Sequence, residues 1–387
     1  MKGWRKFRLG DGCTTNADSY TPKEKWKFVN YLDTGNITDN KIDTIQYIDI
    51  ENEKLPNRAR RKVQKNSIIY STVRPKQRHF GIVKNQPDNF LVSTGFVVIN
   101  TDESILDADF LYYLLTQNIV VEKLHAIAEQ SVSTYPSIKP SDIENLEISI
   151  PDIVVQKRIA VILCSLDEKV EQNNMINKNL QAQAQAIYAH MIIDGADESW
   201  SHGSLSDIAT ITMGQSPKGS TYNEDGVGSV FFQGRAEFGF RFPTRRLYTT
   251  DPKRMAKTND VLMSVRAPVG DLNVAYEDCC IGRGLGAIES KDNHQSFVLY
   301  TMYYLHDQLD TFNGEGTVFG SINRDALNAM PICIPPDEVV DKFESVASPI
   351  DAVIRNNYEE NCRLRVMRDS MLPRLMSGEL DVSNLDL

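Results

Sequence analysis

The chain has 387 residues, 41% hydrophobic and 24% charged, with a formal net charge of -10. That length holds two or three domains with cores of their own, and the acidic balance excludes a protein that coats nucleic acid indiscriminately, because neutralising phosphates takes surplus Lys and Arg. No apolar run approaches the roughly 20 residues that span a bilayer, and Met1-Lys2-Gly3-Trp4-Arg5 opens no signal peptide, so a cytoplasmic location is expected.

Basic character is local. The first basic runs are "KLPNRARRKVQK" (Lys54 to Lys65) and "RPKQRH" (Arg74 to His79), and an arginine-dotted span follows much later, from Arg235 to Arg266. Local basic faces on an acidic chain suit selective contact with DNA, and equally suit solvated surface. Between the runs, Asn66 to Pro75 reads as a strand of large apolar residues ending in Ser, Arg and Pro. Phe110-Leu111-Tyr112-Tyr113-Leu114-Leu115 has helical apolar spacing. Next come the loop Ser131 to Tyr135 and the phrase "SIKPSDIENLEISIP" (Ser137 to Pro151), which predicts a short helix and then a strand ending in Ile-Pro.

Pro151-Asp152 starts a long helix, since Pro and Asp supply first-turn and capping chemistry, and Gly195 stops it. Ile159, Leu166, Asn173, Leu180 and Ile187 recur every seven residues along it, beside a second row of Leu163, Val170, Asn177, Ala184 and Met191.

The sequence then repeats itself. Asn259 to Pro268 answers Asn66 to Pro75, Phe297 to Met302 answers Phe110 to Leu115, and "SINRDALNAMPICIP" (Ser321 to Pro335) answers the closing phrase. Pro335-Pro336-Asp337 opens a second long helix that Gly378 closes. Its rows are Phe343, Ile350, Asn357, Leu364, Met371 and Ala347, Ile354, Asn361, Arg368, Leu375, each 184 beyond its counterpart. A repeat this long means two domains rather than a solenoid. Seven-residue rows on two helices are a coiled-coil pattern. Antiparallel pairing about a pseudo-twofold is expected to set Asn173 opposite Asn357, where buried asparagine fixes register at some cost in stability.

Catalytic signatures are sparse. The six cysteines (Cys13, Cys164, Cys279, Cys280, Cys333, Cys362) lack CxxC or zinc spacing and read as reduced thiols. Gly214 to Ser220 has a phosphate loop's glycine spacing but has Ser220 where the lysine belongs, and Gly282-Arg283-Gly284-Leu285-Gly286 is not GxGxxG. One alternative is a metal-dependent nuclease using Asp271 or Asp278 with Glu289 and Lys291. Another makes the copies protein-binding modules on a helical rod.

Two variable domains, each closing on the same phrase and leading into a long helix, resemble the specificity (S) subunit of Type I restriction-modification systems. The tail "MRDSMLPRLMSGEL" (Met367 to Leu380) is similar to that family's helix ending, although the first helix ends Ile187-Tyr188-Ala189-His190-Met191 without Leu-Pro or Ser-Gly-Glu. The resemblance implies an α+β fold of two similar mixed α/β target recognition domains (1–151 and 194–335), separated by two long antiparallel coiled-coil helices (152–193, and 336–387 with the tail). It further implies a non-catalytic subunit that binds double-stranded DNA at a bipartite target, one domain per half-site. Two methylation (M) subunits carrying S-adenosylmethionine, and restriction (R) subunits using ATP and Mg, would dock through the helices. Helix pairing and docking are expected at Ile159, Leu166, Asn173, Leu180, Ile187, Phe343, Ile350, Asn357, Leu364, Met371, Leu372 and Leu375, and no metal site is expected. A helix of about 37 residues spans about 55 Å, which is on the order of 16 base pairs.

Family motifs carry no base-contacting residue across, so the DNA-binding candidates come from the residues themselves. Arginine suits guanine and hydroxyls suit phosphates. In the first domain they are Ser71, Thr72, Arg74, Lys76, Arg78, Ser133 and Tyr135. In the second they are Gln215, Arg235, Ser264, Arg266, Arg283, Thr317 and Phe319.

Overall fold

The computed structural model describes residues 3–130, 135–314, 320–383 and 385. The chain divides into two compact units, Met1–Gln172 with Glu360–Leu387, and Asn173–Glu359. Each unit holds one small β-rich domain and a portion of both long helices, and the fold is α+β.

The closing phrases explain how each domain seals itself. In the first unit Glu147–Ile150 pairs antiparallel with Arg5–Arg8, so the end of the domain is stitched to its beginning. In the second unit Pro331–Ile334 pairs in the same way with Ser201–Ser204. The short helices that precede these strands are Pro140–Glu144 and Arg324–Asn328. Asn323 caps the latter by accepting the Ala326 amide at 2.9 Å, as a side chain at that position should.

Both domains are built on one strand plan. The core sheet of the first runs Cys13–Thr15, Phe96–Thr101, Ile68–Ser71, Phe80–Ile82, antiparallel throughout. That of the second runs Ala209–Met213, Leu285–Ser290, Val261–Ser264, Leu272–Val274. Burial of every residue of Ile68–Ser71 and Val261–Ser264 accounts for their lack of polar alternation. A second sheet in each contains one parallel pair, Phe28–Leu32 with Phe90–Ser93 and Ser229–Phe232 with Cys279–Ile281.

The helix Ala108–Thr116 buries nearly every side chain between core sheet and long helix, and Gln295–Tyr304 buries its stretch from Ser296 to Met302 in the second unit. Tyr188, Phe297, Tyr300 and Phe343 form a continuous aromatic cluster there.

The first long helix is α-helical over Ile153–Tyr188 and ends in one π turn, Ala189–Ile193. Asp152 starts it by accepting the Val154 and Val155 amides at 3.0 Å. The second is Asp337–Met376, and Gly378 ends it in a left-handed conformation, φ 71°, with its amide on the Leu375 carbonyl. The helices run antiparallel within each unit. Lys169 meets Glu360 and Asp167 meets Arg368 in the first, while Asn177 meets Ile354 and Asn357 in the second.

The amide that Asn357 bonds is Asn177, at 2.8 Å, not the expected Asn173. Asn177 in turn donates to the Ile354 carbonyl at 3.2 Å. Antiparallel helices interleave their two rows, so a residue of one row faces the other row of its partner. Asn173 is fully buried all the same.

Candidate nucleic-acid interface

The strand-end loops show how an identical frame carries unlike side chains. Ser71 is 3% exposed and its hydroxyl closes a turn on the Val73 backbone. Ser264 is 1% exposed, donates to the Pro268 carbonyl at 2.7 Å and accepts the Asp271 amide at 2.9 Å. Both correct the expectation that these hydroxyls meet phosphate, because each is enclosed and used within its own turn. The Thr72 hydroxyl is likewise turned onto the Gly95 carbonyl, at 2.9 Å.

The two arginines are not equivalents. Val73 bridges to Ser137 and Arg266 to Ser321, so Arg266 occupies the place of Val73, and Arg74 stands one residue further on. Arg74 has φ 47° and lies over the exposed Tyr135 ring, 5.4 Å from its centroid. Arg266 is exposed and makes no ion pair among the described residues.

Other candidates are held by carboxylates. Lys76 pairs with Glu122 at 2.9 Å, Arg78 with Asp39 at 2.6 Å, and Arg235 with Asp271. Arg78 also reaches Asn118 and the Thr116 carbonyl, which makes it a strut between loop and helix. Gln215 and Arg283 are exposed, with their amides fixed on the Ile281 carbonyl and the Ser216 hydroxyl. Ser133, Thr317 and Phe319 lie outside the described residues.

The carboxylates considered for metal chemistry are dispersed into separate contacts. Glu289 is paired with Lys257 at 2.5 Å, Asp278 accepts the Thr258 amide and hydroxyl, and the Lys291 ammonium donates to the Ser206 carbonyl. Among the described residues no group of three or more His, Cys, Asp or Glu could hold a metal ion, and no helix is long and apolar enough to cross a membrane.

On the helices, the second seven-residue row is the deeper one: Leu163, Ala184, Ala347 and Ile354 are essentially inaccessible, whereas Leu166, Leu180, Ile187, Ile350, Leu364 and Met371 are half-buried. Ile159 and Phe343 of the first row are core. Leu375 is core as well, in one cluster with Leu163 and Ile159 of the other long helix, which suits helix pairing and leaves its side chain enclosed. Leu372 and Pro373 line a cavity of about 940 Å³ with Tyr112, Tyr113 and Arg368 in the first unit.

A feature that sequence reading missed fastens each domain to its helix. The Tyr113 hydroxyl donates to Asp167 at 2.7 Å, and Arg368 pairs with the same carboxylate. In the second unit Tyr300 donates to Asp351 at 2.9 Å, and the buried Arg241 pairs with Asp351 at 3.2 Å. Burial pushes both phenols well above the ordinary tyrosine range, with the aspartate charge acting in the same direction. The signal was available: Tyr113 and Tyr300, and Asp167 and Asp351, hold matching places in the repeats. The arginines come from unrelated positions, so no repeat could reveal them.

Duplicated β domains with exposed arginine and glutamine side chains on loops held by backbone hydrogen bonds, each domain fastened to a long helix, define a modular recognition protein. Residues 1–182 and 197–355 match the model of the Type I restriction modification DNA specificity domain, and the chain belongs to that family. It is a DNA sequence-recognition subunit and is not itself an enzyme. It is 28% identical to the provisionally named type I restriction enzyme MjaX specificity subunit of Methanocaldococcus jannaschii, across 98% of this chain and 94% of that one. It is 24% identical to the HindI specificity subunit of Haemophilus influenzae, across 98% and 100%. The crystal structure of the Type I S subunit from M. genitalium aligns over 96% of both chains with a TM-score of 0.58 at 18% identity, a likeness of fold alone.

Proposed function

We propose that the chain reads a bipartite target, each recognition domain taking one half, and that methylation and restriction subunits assemble on its long helices. The observation that carries this is the repetition of one frame with different exposed side chains: Arg266 occupies the place where the first domain has Val73. Two copies of a reader with unlike faces suit two unlike half-sites. Docking is supported by exposed apolar residues on the helices. Val154, Val161, Val366 and Met367 lie on the first unit's segments, and Met175, Ile176, Val346 and Val353 on the second's. Solvated helices seldom keep such rows without a partner. Two methylation subunits, one for each copy of the plan, would bring S-adenosylmethionine chemistry, and restriction subunits would bring ATP- and Mg-dependent cleavage, all acting on DNA in the cytoplasm.

The test is to sequence methylated sites in DNA modified by this chain together with its methylation partner. Two short specific elements separated by a spacer of fixed length and free sequence are expected. A single uninterrupted element would overturn the reading.

A further inference from the structure

We propose that in the second domain Gln233 and Arg283 are specificity-determining residues, set on a rim whose equivalent positions in the first domain are Asp33 and Thr94. The proposal rests on the bipartite reading and deepens it.

The rim is held chiefly by backbone, with the Arg283 amide also donating to the Ser216 hydroxyl at 3.2 Å. The Gly282 amide donates to the Phe232 carbonyl at 2.8 Å, that of Gly284 to Gln233 at 3.2 Å, and that of Val265 to Gly284 at 2.9 Å. From the third side, the Gly214 amide meets Leu285 and the Gln215 amide meets Ile281, both at 2.9 Å. A Cβ on Gly214 would stand 2.2 Å from the Gly282 carbonyl oxygen, and one on Gly284 would stand 2.8 Å from that of Gln233. Three loops are therefore in main-chain contact, and their glycines leave no room for side chains between them. The neighbouring side chains of Gln215, Gln233, Arg266 and Arg283 are all exposed.

What distinguishes Gln233, Arg266 and Arg283 is that, among the described residues, their side chains have no internal partner. Nearby Arg235, Arg245 and Arg246 are each neutralised by a carboxylate, on Asp271, Glu277 and Glu237. Among the described residues the side chains of Gln233, Arg266 and Arg283 make no hydrogen bond or ion pair. An unpaired guanidinium or carboxamide on a fixed backbone can present two parallel donors, or a donor and an acceptor, to one base edge. Arginine matches guanine O6 and N7, and glutamine matches adenine N6 and N7. A paired arginine must first surrender its carboxylate.

The first domain repeats the frame. The Thr72 amide donates to the Gly95 carbonyl at 2.8 Å, as Val265 does to Gly284. Strand register fixes the equivalences. Phe96 lies opposite Ser71 as Leu285 lies opposite Ser264, and Val92 lies beside Leu32 as Ile281 lies beside Phe232. Two residues beyond Val92 is Thr94, and one beyond Leu32 is Asp33; the same steps in the second domain reach Arg283 and Gln233. Thr94 is exposed, and Asp33 is half-buried and accepts the Tyr31 hydroxyl at 3.0 Å. An aspartate there would accept from a cytosine amino group, and a threonine methyl would meet thymine. The two rims thus select different bases from one geometry.

The experiment measures binding of the complex of this chain with its methylation subunits to a library in which each half of the target is randomised in turn. Arg283→Ala is expected to reduce preference about tenfold or more at one base pair of one half, the size of one bidentate contact, with the other half unchanged. Arg283→Lys should keep overall affinity but weaken the preference for guanine, because the planar fork is lost while the charge stays. Gln233→Asp combined with Arg283→Thr should change which bases that half prefers. Arg245→Ala, which removes a paired arginine, should alter neither half. A uniform loss on every sequence would mark Arg283 as a phosphate contact and overturn the assignment, as would unchanged preference in both halves. If the unsubstituted complex shows no two separate halves, the bipartite reading itself fails, whatever the variants do.

Discussion

Replacing Asp351 with Asn should loosen the second recognition domain from its helix far more than Asp167→Asn loosens the first. Both carboxylates accept a buried tyrosine and an arginine, but the arginines are not alike. The Arg241 side chain is 3% exposed, and the only carboxylate paired with it among the described residues is Asp351. Removing that charge leaves a guanidinium buried among the rings of Tyr300 and Tyr303, each 5.8 Å away. Breaking a buried pair from one side costs about 3–5 kcal/mol; because Asp351 is itself 22% exposed, the lower end, about 3 kcal/mol, is expected. Arg368 is 29% exposed and keeps Asp369 at 2.8 Å as a second partner, so Asp167→Asn should cost about 1 kcal/mol. A chain of two units need not unfold in one step, so native-state hydrogen exchange is the suitable assay. It should be read on peptides covering Phe297–Tyr303 for one variant and Phe110–Thr116 for the other. Equal effects, or a larger effect for Asp167→Asn, would refute the argument that burial of the arginine decides the cost.

Asp260 is 5% exposed and burial raises its carboxyl to about 6. A folded-state value above the unfolded one means that stability falls as pH rises from about 4 to about 6. Asp260→Asn, which can still accept the Lys257 amide, should therefore gain stability relative to the parent over that window, by on the order of 2 kcal/mol. Thermal unfolding across pH 4 to 7 should show that difference growing and then levelling, and a constant difference would contradict it. Asn177→Leu alone should destabilise the second unit by about 1–3 kcal/mol, because Asn357 loses its partner. Asn177→Leu with Asn357→Leu should recover most of that loss while relaxing helix register, as measured by chemical denaturation and by crosslinking between the helices. Leu375→Ala should destabilise the first unit by about 2–4 kcal/mol, with faster exchange in Phe110–Leu115 and none gained in Val298–Met302. Val353→Asp, on an exposed face, should leave unfolding unchanged within about 0.5 kcal/mol yet weaken co-purification with the methylation subunits. Undiminished co-purification would remove that face from the docking surface.

The repeated plan was readable because it is written in periodic and local signals. Closing phrases, Pro-Asp helix starts and seven-residue rows depend on neighbours within a few turns of chain. The partner of Asn357 was not readable from row position alone, since the two rows interleave only once the helices have paired. Ser71 and Ser264 looked like free hydroxyls because a turn that encloses its own serine has no distinctive spacing. Lys76, Arg78 and Arg235 looked like available cations; their carboxylates, Glu122, Asp39 and Asp271, lie 46, 39 and 36 positions away and reach them only through strand and loop packing. Gln233 and Arg283 come together through a parallel strand pair, a non-local contact that no short pattern announces.

The central claim, that each domain independently reads its own half-site, is tested most directly by replacing the second domain's strands and loops, 201–334, with a second copy of 5–150, and sequencing the sites methylated by the resulting complex. Both halves of the methylated target should then carry the half-sequence that the first domain reads in the parent protein. Retention of the parent's second half-sequence, or the appearance of a sequence unrelated to either half, would contradict the account.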